Sequence, residues 1–175
     1  MSALPSPFAA EWIATLAVSS REPRKALDVA MGRGRHARLL ARHGFETFGV
    51  DVDFEAVKAA MRDASLEGLQ IRGWCADLTI AGLPDRVFDM VVVTRYLERD
   101  LFGSIKGSVR LGGCIVYETF TTAQLELSTG PRSPEHLLRP GELRAAFEDW
   151  DVMFYEEVYR PEAVARLVAQ RPFSS

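Results

Sequence analysis

Short apolar runs alternate with stretches of helical periodicity along most of the chain. One of them, Val91-Val92-Val93, is continuously apolar, as is typical of a strand that is covered on both faces of a sheet. Runs of this kind, separated by helical stretches, predict a three-layer α/β fold with a seven-stranded sheet. The predicted strands lie at 25–30, 46–50, 69–74, 88–93, 114–119, 152–156 and 165–170.

Two helices are predicted between the first three strands. Apolar residues at helical spacing indicate a helix from 54 to 64, behind Asp53 as its N-cap residue. An earlier helix is predicted at about 34–43, and Gly44 is expected to end it. Both helices then connect neighbouring strands of a parallel sheet.

The last two strands are expected to differ from the others. A helix predicted over 143–150, opened by Pro140, precedes them. The stretch between 156 and 165 is too short for a parallel crossover, which needs about a dozen residues. The sheet is therefore predicted to be mixed, mostly parallel with a C-terminal antiparallel hairpin.

The chain is expected to form a single domain over 1–175, with an α/β core over 25–171. A helical segment over 1–20 precedes the core. Its amphipathic pattern fits either packing against the core, which we favour, or a position over a ligand. The stretch 121–139 is long for a loop in a compact domain, and loops of that length are often functional.

Composition narrows the class of protein. The chain has 175 residues, 47% of them hydrophobic, and a net charge of −3. It can bury a core, and it lacks the overall positive charge of a protein that tracks nucleic acid non-specifically. Cys75 and Cys114 are too few for a disulfide scaffold, and they share no metal-ligand spacing with the three histidines. Without a membrane-span-length apolar run or a signal peptide, a cytoplasmic location is predicted.

The first strand breaks into a glycine turn and a helix in the segment Leu27-Asp-Val-Ala-Met-Gly-Arg-Gly-Arg-His36. Gly32 and Gly34 permit positive φ and let a ligand approach the backbone at the carboxyl end of the strand. The pattern Gly32-x-Gly34-x-x-Ala37 also satisfies the dinucleotide fingerprint. By itself it leaves open a nicotinamide cofactor or another adenosine-bearing one.

Three carboxylates near strand ends narrow that choice. Asp51 ends the second strand, where it can accept hydrogen bonds from both ribose hydroxyls. Asp77 follows the third strand and could accept a hydrogen bond from an adenine amino group, with Val52 and Leu78 on the two faces of the ring. Asp28 precedes the glycine turn, and its charge would repel a pyrophosphate but suit an ammonium group. S-adenosylmethionine carries adenosine and a charged amino acid without phosphate, and it satisfies all three.

In these motifs the chain resembles the class I S-adenosylmethionine-dependent methyltransferases. The matching segments are 28–34, 49–51 and 76–78, and the resemblance spans about 25–171. It implies a Rossmann-like seven-stranded sheet, in agreement with the strands predicted above, and S-adenosylmethionine as the cofactor. It further implies a cofactor site formed by Asp28, Ala30, Met31, Gly32, Gly34, Asp51, Val52, Asp77, Leu78 and Thr94.

Ala30 departs from the family pattern, which usually has glycine there. A methyl group at this position is tolerable if φ is negative. A narrower similarity, to small bacterial methyltransferases related to the tellurite-resistance methyltransferases, lies in 94–102, 117–121 and 130–143. Neither similarity identifies the methyl acceptor.

Methyl transfer from a sulfonium is an in-line displacement, for which positioning and exclusion of water can suffice without an acid or a base. Arg95, Arg132 and Arg139 could converge on an anionic acceptor, or they could lie in solvent. The candidates to line the acceptor pocket follow the fourth and fifth strands or lie in the long loop: Thr94, Arg95, Tyr96, Glu118, Thr121, Arg132, His136 and Arg139.

Three of these candidates also have an ordinary structural interpretation. Glu118 could pair with an arginine, Tyr96 could belong to the core or to the wall of the cofactor pocket, and His136 could be a solvated loop histidine. The sequence thus predicts an S-adenosylmethionine-dependent methyltransferase acting on a small-molecule acceptor or an oxyanion, with no metal, no membrane and no nucleic-acid partner. The alternatives are a module that binds S-adenosylmethionine or a partner without catalysis and, less favoured, an NAD-dependent oxidoreductase.

Overall fold

The computed structural model describes residues 4–17 and 24–174. Seven strands form one sheet: β1 (Lys25–Val29), β2 (Glu46–Asp51), β3 (Ile71–Cys75), β4 (Phe88–Thr94), β5 (Val109–Phe120), β6 (Asp151–Val158) and β7 (Val164–Gln170). Their order across the sheet is β3-β2-β1-β4-β5-β7-β6. Neighbours among β1 to β5 are parallel, and β7 runs antiparallel to both β5 and β6. The predicted mixed sheet with its C-terminal hairpin is confirmed.

Helices cover both faces of this sheet. They are α1 (Pro7–Leu16), α2 (Arg35–Arg42), α3 (Phe54–Leu66), α4 (Leu78–Ala81), α5 (Phe102–Ser108) and α6 (Glu142–Ala146). Side chains of α1, α2 and α3 pack on one face, and those of α5 and α6 pack on the other. Within 4–17 and 24–174, no helix combines the length and the apolarity needed to cross a membrane.

The helix ends follow local sequence signals in two cases and depart from them in one. The Asp53 carboxylate caps α3 by accepting the Glu55 and Ala56 N–H groups at 2.9 and 3.1 Å. Gly44 follows α2 with φ +82°, as expected of a residue that ends a helix. The predicted helix over 143–150 is wrong at both ends, because Pro140 lies outside α6 and the chain turns after Ala146.

Alternate residues of the central strands face opposite layers, as the pleat requires. Val91 and Tyr117 belong to the cluster under α5 and α6, whereas Val92 and Val116 belong to the cluster under α1 and α2. All four are fully buried. The continuous apolarity of β4 therefore has the predicted cause, since this strand is covered on both faces.

Helix α1 fills the layer beside α2. Its residues Phe8 and Ile13 are buried against the sheet, and the rings of Phe8 and Trp12 lie 5.7 and 5.6 Å from that of Phe154 on β6. Burying a side chain such as Ile13 contributes about 1.5–3 kcal/mol. For α1 the structure thus shows core packing. The remainder of the predicted segment, 1–3 and 18–20, lies outside the described residues.

Candidate functional site

A cavity of about 360 Å³ opens at the carboxyl ends of the central strands. This edge lies beside the point where the strand order reverses between β1 and β4, which is where ligands bind in open α/β sheets. The volume falls within the range of small-molecule pockets, about 300–1,000 Å³. The residues that line the cavity are Ala30, Val50, Asp51, Val52, Ala76, Asp77, Leu78 and Tyr96. Six of these eight were singled out from the sequence, and Val50 and Ala76 are their chain neighbours.

The turn after β1 is held in left-handed backbone conformations. Gly32 and Gly34 have φ of +52° and +70°. Ala30 has φ of +52°, so the expectation of a negative φ at this position is wrong. A left-handed alanine costs about 1–2 kcal/mol. The turn is therefore strained where it lines the cavity, and the Ala30 methyl group is accommodated at that cost.

The two glycines of the turn serve different purposes. A Cβ atom on Gly34 would lie 2.8 Å from the Cβ of Ala60, so glycine is needed for α2 to pack against α3. A Cβ on Gly32 would meet no atom within 4 Å. The side chain of Met31 is buried between Gly49 and Gly73 of the sheet, so Met31 contributes only its backbone to the turn. Open space at Gly32 leaves room for a ligand to approach the backbone.

Asp28 is buried beneath this turn, with 1% of its surface exposed. Its Oδ2 accepts the Ala37 N–H at 2.9 Å, whereas Oδ1 has no hydrogen-bond partner among the described residues. Burial raises the pKa of the carboxyl to about 7, against the opposing effects of the Ala37 bond and the Arg35 charge. This carboxyl is therefore buried and only partly ionised at neutral pH, and a neighbouring ammonium group would favour its ionised form.

Asp51 joins the end of β2 to the glycine turn. Its Oδ2 accepts the Gly32 N–H at 2.7 Å, and its Oδ1 accepts the Asp53 N–H at 2.9 Å. Each carboxylate oxygen can accept a second hydrogen bond. The half-buried side chain thus fixes the turn and still presents acceptors to the cavity, as binding of a ribose diol requires.

The opposite end of the cavity is apolar with one carboxylate at its rim. Asp77 caps α4 through Oδ1, which accepts the N–H and the hydroxyl of Thr79 at 3.0 and 2.6 Å. These bonds hold the pKa of Asp77 below its usual range. Leu78 is buried and Val52 is 69% exposed. An unpartnered large apolar side chain at a cavity mouth is suited to stacking on a planar ring such as adenine.

Tyr96 is the acceptor candidate that reaches this cavity. It is half-buried, and its carbonyl oxygen accepts the Tyr117 hydroxyl at 3.0 Å, which fixes the backbone after β4. Burial, and then the nearby carboxylates of Glu98, Asp77 and Asp51, raise the pKa of the phenol. Tyr96 is therefore protonated at neutral pH and forms a wall of the cavity.

The other candidates after β4 and β5 are bound to protein groups. Glu118 is buried and accepts hydrogen bonds from Ser6 Oγ at 2.5 Å and from Arg166 Nε at 2.6 Å, so it has the arginine partner considered above. Arg95 donates to both carboxylate oxygens of Glu162, at 3.0 and 2.7 Å. Neither side chain lines the cavity.

The candidates of the long loop do not converge on the cavity either. Arg132 donates to the carbonyl oxygens of Leu125 and Leu127 at 3.0 and 2.8 Å and so stabilises the loop itself. His136 and Arg139 are exposed and do not line the cavity, and Thr121, although buried, does not line it either. Of the two interpretations of Arg95, Arg132 and Arg139, the structure agrees with the second, because all three are exposed.

The structure brings His36 to the site, which the sequence analysis had considered only as a metal ligand. This residue is 1% exposed; its Nε2 accepts the Ser6 N–H at 3.0 Å, and its Nδ1 lies 3.1 Å from the Thr94 hydroxyl. Since a backbone N–H only donates, the neutral ring carries its proton on Nδ1. Burial, and then the charges of Arg35 and Arg95, lower the pKa of His36 to about 3. Thr94, predicted to bind the cofactor, thus bonds to His36.

No local pattern marks His36, because its partners lie 30 and 58 residues away in the chain. Within the described ranges, no group of three or more His, Cys, Asp or Glu side chains is arranged to hold a metal ion. The site is therefore built from a strained turn, three carboxylates and a buried neutral histidine.

These residues fit S-adenosylmethionine. The unpartnered Oδ1 of Asp28 can accept from an ammonium group, the open space at Gly32 admits a ligand against the backbone, and Asp51 can accept from ribose hydroxyls. The apolar end beside Leu78 suits an adenine ring. No hydrogen bond from the described residues occupies Oδ2 of Asp77, which leaves it available to an amino group.

Comparisons with known proteins support the same ligand. Residues 26–113 match the family model described as a methyltransferase domain. Among solved structures, TehB from Haemophilus influenzae is 19% identical with a TM-score of 0.74, over 92% of this chain and 62% of that one. An S-adenosylmethionine-dependent methyltransferase from Mesorhizobium loti is 20% identical with a TM-score of 0.71, over 93% of this chain and 98% of that one. At such identities, these structures show the fold alone.

Among curated proteins, Hemagglutinin 1 from Eikenella corrodens is 28% identical over 149 residues, which are 81% of this chain and 48% of that protein. The chain thus spans about half the length of this curated relative. The family match covers half of the chain, including the glycine turn and the ends of β2 and β3. The chain therefore belongs to the methyltransferase domain family, with the class I fold and S-adenosylmethionine as its cofactor.

Proposed function

We propose that the protein transfers a methyl group from S-adenosylmethionine to a small-molecule or oxyanion acceptor by in-line displacement. The observation that carries this proposal is the cavity, which places a ribose-type acceptor at Asp51 and an apolar end beside Leu78 next to the strained turn at Ala30. When bound, S-adenosylmethionine supplies an electrophilic methyl group, whose bond to sulfur breaks as its bond to the acceptor forms.

The protein residues would contribute position and exclusion of water. Tyr96 walls the cavity in its protonated form, and both ring nitrogens of His36 are already hydrogen-bonded. His36 also holds its proton too weakly to act as a base near neutral pH, because its pKa is about 3. An acceptor that is already an anion or a neutral nucleophile fits such a site.

We further propose that the chain acts as one domain over 1–175 and works in the cytoplasm. The free thiols Cys75 and Cys114 support a reducing compartment. The mild negative charge of the whole chain supports a small acceptor over nucleic acid.

Calorimetry with S-adenosylmethionine and with S-adenosylhomocysteine tests the cofactor, and incubation with methyl-labelled cofactor and a pool of small metabolites and oxyanions tests transfer. Binding followed by transfer of label to a small molecule is the expected result. No binding at millimolar cofactor would contradict the proposal.

A module that binds the cofactor without catalysis is a second candidate. Two observations favour it: Ala30 strains the turn beside the cavity, and Tyr96, the acceptor candidate among the described lining residues, is protonated at neutral pH. Binding without transfer of label to any acceptor in the pool would support this candidate over the enzyme.

A further inference from the structure

Arg35 and Arg95 flank one contact beside the cavity. Arg35 begins α2 and directly precedes His36, while Arg95 directly follows Thr94 at the end of β4. Because the side chains of His36 and Thr94 are 3.1 Å apart, the two arginines leave the backbone near the same point. Arg95 has φ +55°, a strained conformation of the kind that clusters at functional sites.

Arg35 has a guanidinium group that makes no direct ion pair among the described residues. Within 4–17 and 24–174 it forms no salt bridge, and its hydrogen bond to the Leu4 carbonyl oxygen is long, at 3.3 Å. The residue is half-buried, and burial followed by the charge of Arg95 lowers its pKa, against the opposing charges of Asp28, Glu118 and Glu162. A half-buried guanidinium beside a second positive charge is stabilised when an anion binds between them.

Arg95 does have a counter-ion, and that counter-ion is replaceable. Glu162 lies between β6 and β7 and receives two hydrogen bonds from Arg95 at 3.0 and 2.7 Å. The two side chains are 47% and 39% exposed. Exposed ion pairs of this kind contribute only about 0–1 kcal/mol. A ligand anion held by Arg35 as well can therefore displace the Glu162 carboxylate from Arg95.

We propose that Arg35 and Arg95 form an anion subsite for the methyl acceptor, and that Glu162 occupies the Arg95 side of this subsite until the acceptor displaces it. The inference rests on the proposed function and narrows its acceptor to molecules with a carboxylate or oxyanion group. The same chemistry could bind the carboxylate of the cofactor, so the test must separate these two sources.

Sulfate serves as the anion probe. It is titrated into the full chain, labelled with 15N and saturated with S-adenosylhomocysteine, while the arginine side-chain NMR signals are followed. Arg35→Gln should weaken sulfate binding by about 10-fold or more, because a charge-assisted contact is lost. Glu162→Gln should tighten it by up to about fivefold, because the competing carboxylate is removed.

Two further variants keep this test interpretable. Arg62→Gln removes an exposed guanidinium from α3, where it pairs with Asp63, and should leave the sulfate affinity unchanged. Arg35→Lys retains the charge without the two-pronged geometry and should fall between wild type and Arg35→Gln. Thermal unfolding checks that each variant is folded. An unchanged affinity in Arg35→Gln, or weaker binding in Glu162→Gln, would overturn the proposal.

Two nucleosides test whether the anion that Arg35 binds is the carboxylate of the cofactor. S-adenosylhomocysteine carries the amino acid carboxylate and 5′-methylthioadenosine lacks it. If Arg35→Gln weakens binding of the first and not of the second, Arg35 binds the cofactor and its assignment to the acceptor is wrong. If wild type binds neither nucleoside, the proposed function fails, whereas sulfate titration of the nucleoside-free chain still decides whether the two arginines bind an anion.

Discussion

The sheet edge at which the cavity opens has two halves that are built from different kinds of contact. On the β1–β3 side, which we call the cofactor side, carboxylates bind backbone N–H groups, as Asp51 does with Gly32. On the β4, β5 and β7 side, which we call the acceptor side, side chains bind one another, as Glu118 does with Ser6 and Arg166. Backbone groups are the same in every sequence, whereas side chains change with each substitution. Single substitutions can therefore change the contacts of the acceptor side more readily than those of the cofactor side.

The largest expected contrast between the two sides is in the pH dependence of stability. The pKa of Asp28, on the cofactor side, is raised from 3.8 to about 7. As the pH rises, the unfolded chain therefore loses this proton at a lower pH than the folded chain does. The stability that this difference contributes is fully present below pH 3.8 and is lost as the pH rises to 7. The expected slope is about 1.4 kcal/mol per pH unit.

His36, beside the acceptor side, has the opposite sign. Its pKa is lowered from 6.5 to about 3, so the unfolded chain binds a proton first as the pH falls. Stability present above pH 6.5 is lost as the pH falls towards 3, with a slope of the same size, about 1.4 kcal/mol per unit. Between pH 4 and 6.5 the two contributions oppose each other in wild type.

Urea unfolding of Asp28→Asn and His36→Gln from pH 4 to 8 separates the two contributions. Relative to wild type, Asp28→Asn should gain stability as the pH rises to 7, and His36→Gln should gain stability as the pH falls from 6.5. Profiles parallel to that of wild type in both variants would contradict the contrast.

The next largest effect concerns the turn on the cofactor side. Gly34→Ala adds left-handed strain and a methyl group 2.8 Å from Ala60, and should lower the free energy of unfolding by about 2–5 kcal/mol. Gly32→Ala is the matched control, because its φ is also positive and its surroundings are open; it should lose only about 1–2 kcal/mol. Denaturant unfolding measures both, and equal losses would show that helix packing does not require Gly34.

A smaller effect is expected on cofactor affinity. Asp51→Ala removes the acceptors offered to a ribose, and should weaken S-adenosylhomocysteine binding by about 1–3 kcal/mol. Asp85→Ala, which removes an exposed carboxylate that pairs with Arg86, should leave the affinity unchanged. Calorimetry on both variants measures the difference. An unchanged affinity in a folded Asp51→Ala protein would show that Asp51 does not bind the ribose.

The smallest effect concerns the strain at Ala30. Ala30→Gly should raise the free energy of unfolding by up to about 1 kcal/mol, since relief of left-handed strain exceeds the entropy that glycine adds to the unfolded chain. Denaturant midpoints measure the change. A loss of stability would mean that a contact of the Ala30 methyl group stabilises the fold by more than the left-handed conformation destabilises it.

Much of the fold and of the cofactor side could be predicted from the sequence, because their signals are local. Strand periodicity, the cap at Asp53 and the acidic residues at strand ends all depend on neighbours within a few positions. The exceptions are informative. Neither the left-handed φ of Ala30 nor the burial of Asp28 has a local sequence signal, since both depend on how α2 packs over the end of β1.

The sequence by itself determined the seven strands, the helices that connect the first three of them, the glycine turn and the cofactor family. Only the tertiary structure decided which charged groups meet across from that turn, because Ser6 and Glu118 are 112 residues apart and Arg95 and Glu162 are 67 apart. A parallel sheet gathers the ends of distant strands at one edge, and every strand end carries polar residues that could pair there. Which pairs form depends on how far each side chain reaches and how deeply it is buried in the folded protein. The spacing of residues along the chain specifies neither.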